Sequence, residues 1–163
     1  MELTEMLQEA VFRFLPFQER KKVLTGLLAG SEISLGRLRS LEKLAEEFHI
    51  DGEYEGRNQG PQALNHYAWA ATALGNAAKK AGLHLPADEF YKKAWKGFVD
   101  PANRGHDDNG HRLIKENPHL FEDPEIRAHY SADAIHMQRL LQIAPELQNV
   151  PSAPAPLSYQ RYF

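Results

Sequence analysis

The chain has 163 residues, 42% hydrophobic and 25% charged, with 19 Lys+Arg against 22 Asp+Glu for a net charge of −3. That balance excludes a disordered or collagen-like chain, and it argues against nucleic acid as the main partner, because phosphate binding leaves a basic patch. No run approaches the roughly 18 unbroken apolar residues that a membrane span needs. The acidic start MELTEMLQEA carries no signal peptide, so synthesis in the cytoplasm is expected. The absence of cysteine removes disulfides, thiolate metal sites and cysteine nucleophiles together.

Leu and Ala dominate the apolar residues while Val, Ile and Thr are scarce, which favours helix over strand throughout. The expected fold is all-α: about six helices around a central Ala-rich helix, in a single domain over residues 1–150. Leu3, Leu7, Ala10, Val11 and Phe14 stand at helical spacing until Pro16. A second helix runs from about Phe17 to Gly30, with Val23, Leu24, Leu27 and Leu28 as its apolar residues. Ser34 is the expected N-cap of a third, whose stripe is Leu35, Leu38, Leu41, Leu44, Ala45 and Phe48, with Gly52 closing it.

Residues 51–60 hold three glycines and read as a loop. Pro61 suits the first position of a long helix reaching Gly82. That helix is apolar on two faces, one with Leu64, Tyr67, Ala68, Ala71, Leu74 and Ala78, the other with His66, Trp69, Ala70, Ala73 and Ala77. Such a helix belongs in the middle of a bundle. Pro86 opens the next helix, with Phe90, Tyr91, Ala94, Trp95 and Phe98 on its buried side, and Asp123–Pro124 starts one continuing to about Ile143. The stretches Gln18–Lys22 and Glu42–Glu47 read as solvated helix faces.

The last thirteen residues, PSAPAPLSYQRYF, contain three prolines and form an extended C-terminal arm over 151–163. Leu157, Tyr159, Tyr162 and Phe163 are its large apolar groups, more than a solubilising tail would carry. A protein partner, or a second copy of the chain, is expected to bind there.

Chemistry concentrates in residues 100–111, DPANRGHDDNGH, where three aspartates, two asparagines and two histidines lie between two helices. The plain reading is an interhelical loop of ordinary turn residues. In a calcium loop starting at Gly105, Asp107, Asn109, Gly110 and Glu116 would fall on ligand positions, but the first ligand position is then glycine. His66, His106–Asp107 and Asp133 follow the order of an all-helical metal phosphohydrolase pattern. That pattern sets its His-Asp pair inside an apolar helix, whereas this one lies between Gly105 and Gly110.

A third reading joins His66 to the front of the segment. Asn65-His66-x-x-Trp69, then Asp88–Glu89, then Asp100-x-x-Asn103 together resemble a helical domain of undefined function from bacterial polymorphic toxins and phage-associated proteins. That domain reads Arg-His-x-x-Trp, His-Glu and Asp-x-x-Asn-Asn, and the likeness covers about residues 60–112. Asn65, Asp88 and Arg104 depart from it. The resemblance implies a small effector-like or virion-associated protein with a hydrolytic site, delivered by a secretion system or packaged in a virion. In that reading His66 is the general base, Asp100 and Asn103 orient it, and Asp107 with His106 holds a divalent metal. The alternative is a non-catalytic assembly subunit, of a phage virion or a secretion machine, whose arm 151–163 docks on a neighbouring chain.

Overall fold

Ser34 begins a long helix by the chemistry expected of an N-cap: its Oγ accepts from the Arg37 backbone N–H at 3.2 Å, and its carbonyl accepts from Leu38 N at 3.0 Å. The computed structural model describes residues 12, 15, 17–29, 32–54, 59–101, 103 and 106–149, with the backbone alone for 47–54, 59–64 and 149. Among these residues the regular elements are all helical, seven α-helices and two 3₁₀ segments. The chain divides into two compact units, Met1–Gly110 and His111–Phe163, where the sequence predicts one domain over 1–150. The helix expected over residues 3–14 and the arm 151–163 lie outside the described residues, apart from the buried Phe12.

In the first unit, α1 (Phe17–Ala29) buries Arg20, Leu24 and Leu27. Helix α2 (Leu35–Tyr54) buries Leu38, Leu41, Leu44 and Ala45, as its stripe predicts, while Leu35 is exposed. It runs on through Gly52, and α3 (Gln59–Lys80) begins two residues before Pro61. The expected loop 51–60 is therefore helical at both ends. A helical glycine costs only about 1 kcal/mol relative to alanine, so it weakens a helix without stopping it.

Helix α3 is central, packing against α2, α1 and α4 (His84–Val99). Ala68, Ala70, Ala71, Leu74 and Ala78 are buried on it, and His66, Tyr67 and Trp69 are half-buried. Small residues let α4 come close. A Cβ added at Gly75 would lie 2.6 Å from Cε1 of Tyr91, so the tyrosine ring occupies the space that glycine leaves. Tyr91 then donates its hydroxyl proton to Asn76 Oδ1 at 2.6 Å, which satisfies a phenol that is only 1% exposed.

The end of α3 follows from one glycine. Gly82 adopts φ +80°, its N–H donates to Lys79 O, and Leu83 N donates to Ala78 O at 2.9 Å. This is the Schellman arrangement, which satisfies carbonyls that the helix end would leave unpaired. Helix α4 begins two residues ahead of Pro86, which falls in its first turn, where a missing N–H is harmless. Phe90, Tyr91, Ala94, Trp95 and Phe98 are all buried, as the periodicity predicts.

Glu42 departs from the expected solvated face. Its carboxylate bridges Arg39, one turn ahead on α2, and Lys93 on α4, and its side chain is only 14% exposed. Arg39 also reaches Glu89 on α4 at 2.8 Å. Burial alone would push the Glu42 carboxyl up, but the hydrogen bonds from Lys93 and Arg39, with their charges, hold it below the usual carboxylate value.

The polar segment 100–111 is not a loop throughout. Helix α5 (Asp107–Glu116) takes in its second half, with Asp107 and Asp108 in the first turn, where carboxylates favour the positive end of the helix dipole. A calcium loop is thereby excluded. Asp107, Asn109, Gly110 and Glu116 all lie on one helix and cannot wrap an ion.

In the second unit, a 3₁₀ segment (Pro118–Glu122) precedes α6 (Pro124–Ala132), α7 (Ala134–Ile143) and a second 3₁₀ segment (Pro145–Asn149). The single helix expected from Asp123 to Ile143 is two helices broken at Asp133. Asp123 caps α6 by accepting from Glu125 N and Ile126 N, and Asp133 caps α7 by accepting from Ile135 N and His136 N. A carboxylate that serves two backbone N–H groups stabilises a new helix start, and here this prevails over continuing the old helix. Leu113, Ile114, Leu120, Phe121, Ile126, Tyr130, Leu140, Ala144 and Leu147 are the unit's buried apolar residues among those described.

Candidate functional site

His66 sits two turns into α3, half-buried, and its ring stacks face to face on Phe17 of α1, with centroids 3.5 Å apart and planes 7° from parallel. Trp69 meets the same Phe17 ring edge-on at 6.2 Å, and Lys21 Nζ lies 4.7 Å from the Trp69 ring and 5.3 Å from Phe17. Position i, i+3 on one helix turn brings His66 and Trp69 to a common aromatic partner, as their spacing predicts. Arg20, 1% exposed, donates from Nε to the Leu15 carbonyl nearby in sequence.

The electrostatics run opposite to those of a carboxylate-oriented base. Burial lowers the His66 pKa, and the positive charges of Arg20, Lys21 and His106 lower it further, to about 4. His66 is thus a neutral imidazole at pH 7. A carboxylate partner would instead raise the pKa.

The other predicted site residues lie between the end of α4 and the head of α5. Asp100 ends α4, and its backbone carbonyl accepts from Asn103 N at 2.8 Å. Asn103 is fully buried, and its Nδ2 donates to Gly97 O at 2.9 Å, tying the turn back onto α4. The His106 carbonyl accepts from Asn109 N at 3.0 Å at the head of α5, and Asp107 begins that helix half-buried. The charge of His106 acts on His66. Among the described residues no group of three His, Asp or Glu side chains is placed to hold a metal ion. Leu157, Tyr159, Tyr162 and Phe163 lie outside the described residues.

A second cluster, in the second unit, was not predicted as a site. His129 Nε2 and His136 Nδ1 are 2.9 Å apart, with rings stacked at 5.1 Å, and Asp133 Oδ2 lies 3.6 Å from His136 Nδ1. His111 Nδ1 is 2.7 Å from the Tyr130 hydroxyl, and its ring meets His136 edge-on at 5.2 Å. His111 and Tyr130 are each 1% exposed. Three imidazoles, a phenol and a carboxylate thus share one small volume. A signal existed in the sequence, where five of the eight histidines fall between residues 106 and 136.

Comparison with protein-family models, with curated proteins and with solved structures finds no match.

Proposed function

We propose that this chain is a non-catalytic helical assembly subunit, of a phage virion or a secretion machine, which joins a neighbouring chain through residues 151–163. The observation that carries this reading is the setting of His66. An imidazole stacked on Phe17 and held near pKa 4 by burial and the neighbouring charges is a poor general base at neutral pH. It serves instead as an aromatic plate between α1 and α3. The proline-stiffened arm with Leu157, Tyr159, Tyr162 and Phe163 supplies the docking element, because a pre-extended segment loses less entropy on binding. No helix among the described residues is long and apolar enough to cross a membrane.

Sedimentation of the full chain and of a chain lacking 151–163 tests this. Concentration-dependent association of the full chain, lost on truncation while the helical circular dichroism is retained, is the expected result. Equal behaviour of the two, or unfolding of the shorter one, sinks the reading.

One observation favours a hydrolytic reading. The charge of His106 acts on His66, so the head of α5 and the α3 imidazole are electrostatic neighbours. There His66 would take a proton from water, with Asp100 and Asn103 orienting it and a divalent ion at Asp107 and His106. Hydrolysis of ester or phosphoester substrates that disappears in His66→Gln, with a pH midpoint near that of His66, would establish it. Activity unchanged in that variant would end it.

A further inference from the structure

We propose that the His129–His136 pair is an acid-sensitive latch that holds α7 on α6 near neutral pH and releases it when both imidazoles are charged. The geometry carries the argument. A separation of 2.9 Å between His129 Nε2 and His136 Nδ1 is a hydrogen bond, which needs one proton on one nitrogen and a lone pair on the other. The neutral pair meets that need, and so does the singly protonated pair, whose charge faces the Asp133 carboxylate 3.6 Å from His136 Nδ1. The doubly protonated pair cannot. Each nitrogen would then carry a hydrogen aimed at the other, and two cationic rings would stack at 5.1 Å.

The groups around the pair come from each neighbouring element. His111 of α5 adds a third imidazole, 5.2 Å from His136 by ring centroids, so its protonation adds to the repulsion. Tyr130 of α6 sits edge-on to His129 at 5.3 Å. Arg127 of α6 is held elsewhere, its Nε donating to Phe121 O and its guanidinium over the Phe121 ring of the 3₁₀ segment. Asp133 is the compensating anion. The hydrogen bond from the His136 backbone N–H, with the charge of His136, the Ile135 N–H and the charge of His129, keeps its carboxyl below the usual carboxylate value, so it stays ionised as the histidines charge. The Asp133 carboxylate faces the charges of both His136 and His129, and the cap it makes on α7 fixes where it can stand.

Position gives the latch its lever. His129 lies in the last turn of α6, and His136 in the first turn of α7, across the break at Asp133. Loss of their contact frees α7 to swing on that break and uncovers Leu140, which is fully buried in the closed form. The device is independent of whether the protein assembles or hydrolyses, since it uses none of the residues of either reading.

Hydrogen exchange of the full chain, corrected for the intrinsic pH dependence of exchange, reads the latch. Protection of residues 134–143 is expected to fall about tenfold or more between about pH 7.5 and pH 5, the range over which histidines charge, while the buried turns of α3 and α4 hold theirs. His136→Gln should flatten that dependence, because the glutamine amide can still pair with one imidazole but cannot take a second charge. His129→Gln is the parallel variant should the first fail to fold. Equal protection of 134–143 at both pH values overturns the proposal, as does a variant that keeps the wild-type pH dependence. A protection at neutral pH that needs added zinc ions and is lost to a chelator also overturns it, because the imidazoles would then serve a metal.

Discussion

The two units of this chain put histidine to opposite uses. In the first, His66 is one ring among aromatic and cationic neighbours, and its surroundings oppose protonation at any pH above about 4. In the second, His111, His129 and His136 touch one another or a phenol through their nitrogens. The first imidazole is therefore a flat, slightly polar plate, and the others are proton-bearing contacts. Residue type alone does not decide which. Long helices with small residues at their crossing hold the first unit, and short helices started by aspartate caps hold the second.

The largest expected effect strikes the packing of α3 against α4. Gly75→Val would drive side-chain atoms into the Tyr91 ring, already 2.6 Å from a bare Cβ. Overpacking of this kind costs about 3 kcal/mol. For a chain of this size it should lower Tm by roughly 9 °C in a circular-dichroism melt. Gly75→Ala should cost less, because alanine regains about 1 kcal/mol of helix propensity. A Gly75→Val melt within about 2 °C of wild type would mean that α3 and α4 can separate freely, and the contrast of long rigid and short capped units would lose its basis.

Next comes the pH dependence of His66 itself. Its folded pKa of about 4 lies below the ordinary histidine value near 6.5, so the unfolded chain binds the proton more readily. The associated stability is complete above about pH 6.5 and is lost as the pH falls toward 4. The full shift corresponds to about 3 kcal/mol, and half exposure of the ring to solvent reduces that to about 1–2 kcal/mol. Wild type should therefore lose Tm relative to His66→Phe on going from pH 7 to pH 4.5. A ring-proton NMR titration of His66 with its midpoint near 6.5 would contradict this and return the residue to the acid–base candidates.

Much of the first unit is readable from residues alone. Leu- and Ala-rich stripes identify α1 to α4, Ser34 marks a start, and Gly82 marks an end. Helix boundaries inside glycine-bearing stretches are not readable that way, because Gly52 and Gly60 are tolerated once the flanking turns are formed. The surroundings of His66 are less legible, for a geometric reason. Its properties come from Phe17, Arg20 and Lys21, residues forty-five or more positions earlier in the chain. His129 and His136 stand seven apart, which in an unbroken helix would place them about 10 Å apart along the axis. They meet because Asp133 breaks the helix between them.

The capped ends of the second unit can be weakened without touching an imidazole. Asp123 Oδ1 accepts from Glu125 N at 2.9 Å and from Ile126 N at 3.2 Å. Replacing such a cap by alanine costs about 1 kcal/mol. Asp123→Ala should thus increase exchange of the α6 amides about fivefold while leaving α3 and α4 unchanged. Exchange that rises equally in all helices would show that the two units open as one, and their separate treatment would fail.

The smallest effect separates buried charge from exposed charge within the first unit. Glu89 is 56% exposed on its side chain and accepts one contact from Arg39 at 2.8 Å, whereas Glu42, 14% exposed, joins Arg39 to Lys93 across the α2–α4 gap. An exposed pair contributes only about 0.3 kcal/mol, because solvent screens it and two long side chains must be ordered to form it. Glu89→Ala should therefore shift Tm by about 1 °C at most, and the shift should vanish in high salt. Glu42→Ala removes the carboxylate that two cations share and should cost about 1 kcal/mol, part of which survives salt because the group is shielded from solvent. Arg39 keeps Glu89 and its place 5.7 Å over the Phe90 ring in that variant, so the larger loss would come from Lys93. Equal effects of the two substitutions at low and high salt would mean that burial does not distinguish them, and that the α2–α4 contact rests on its apolar face alone.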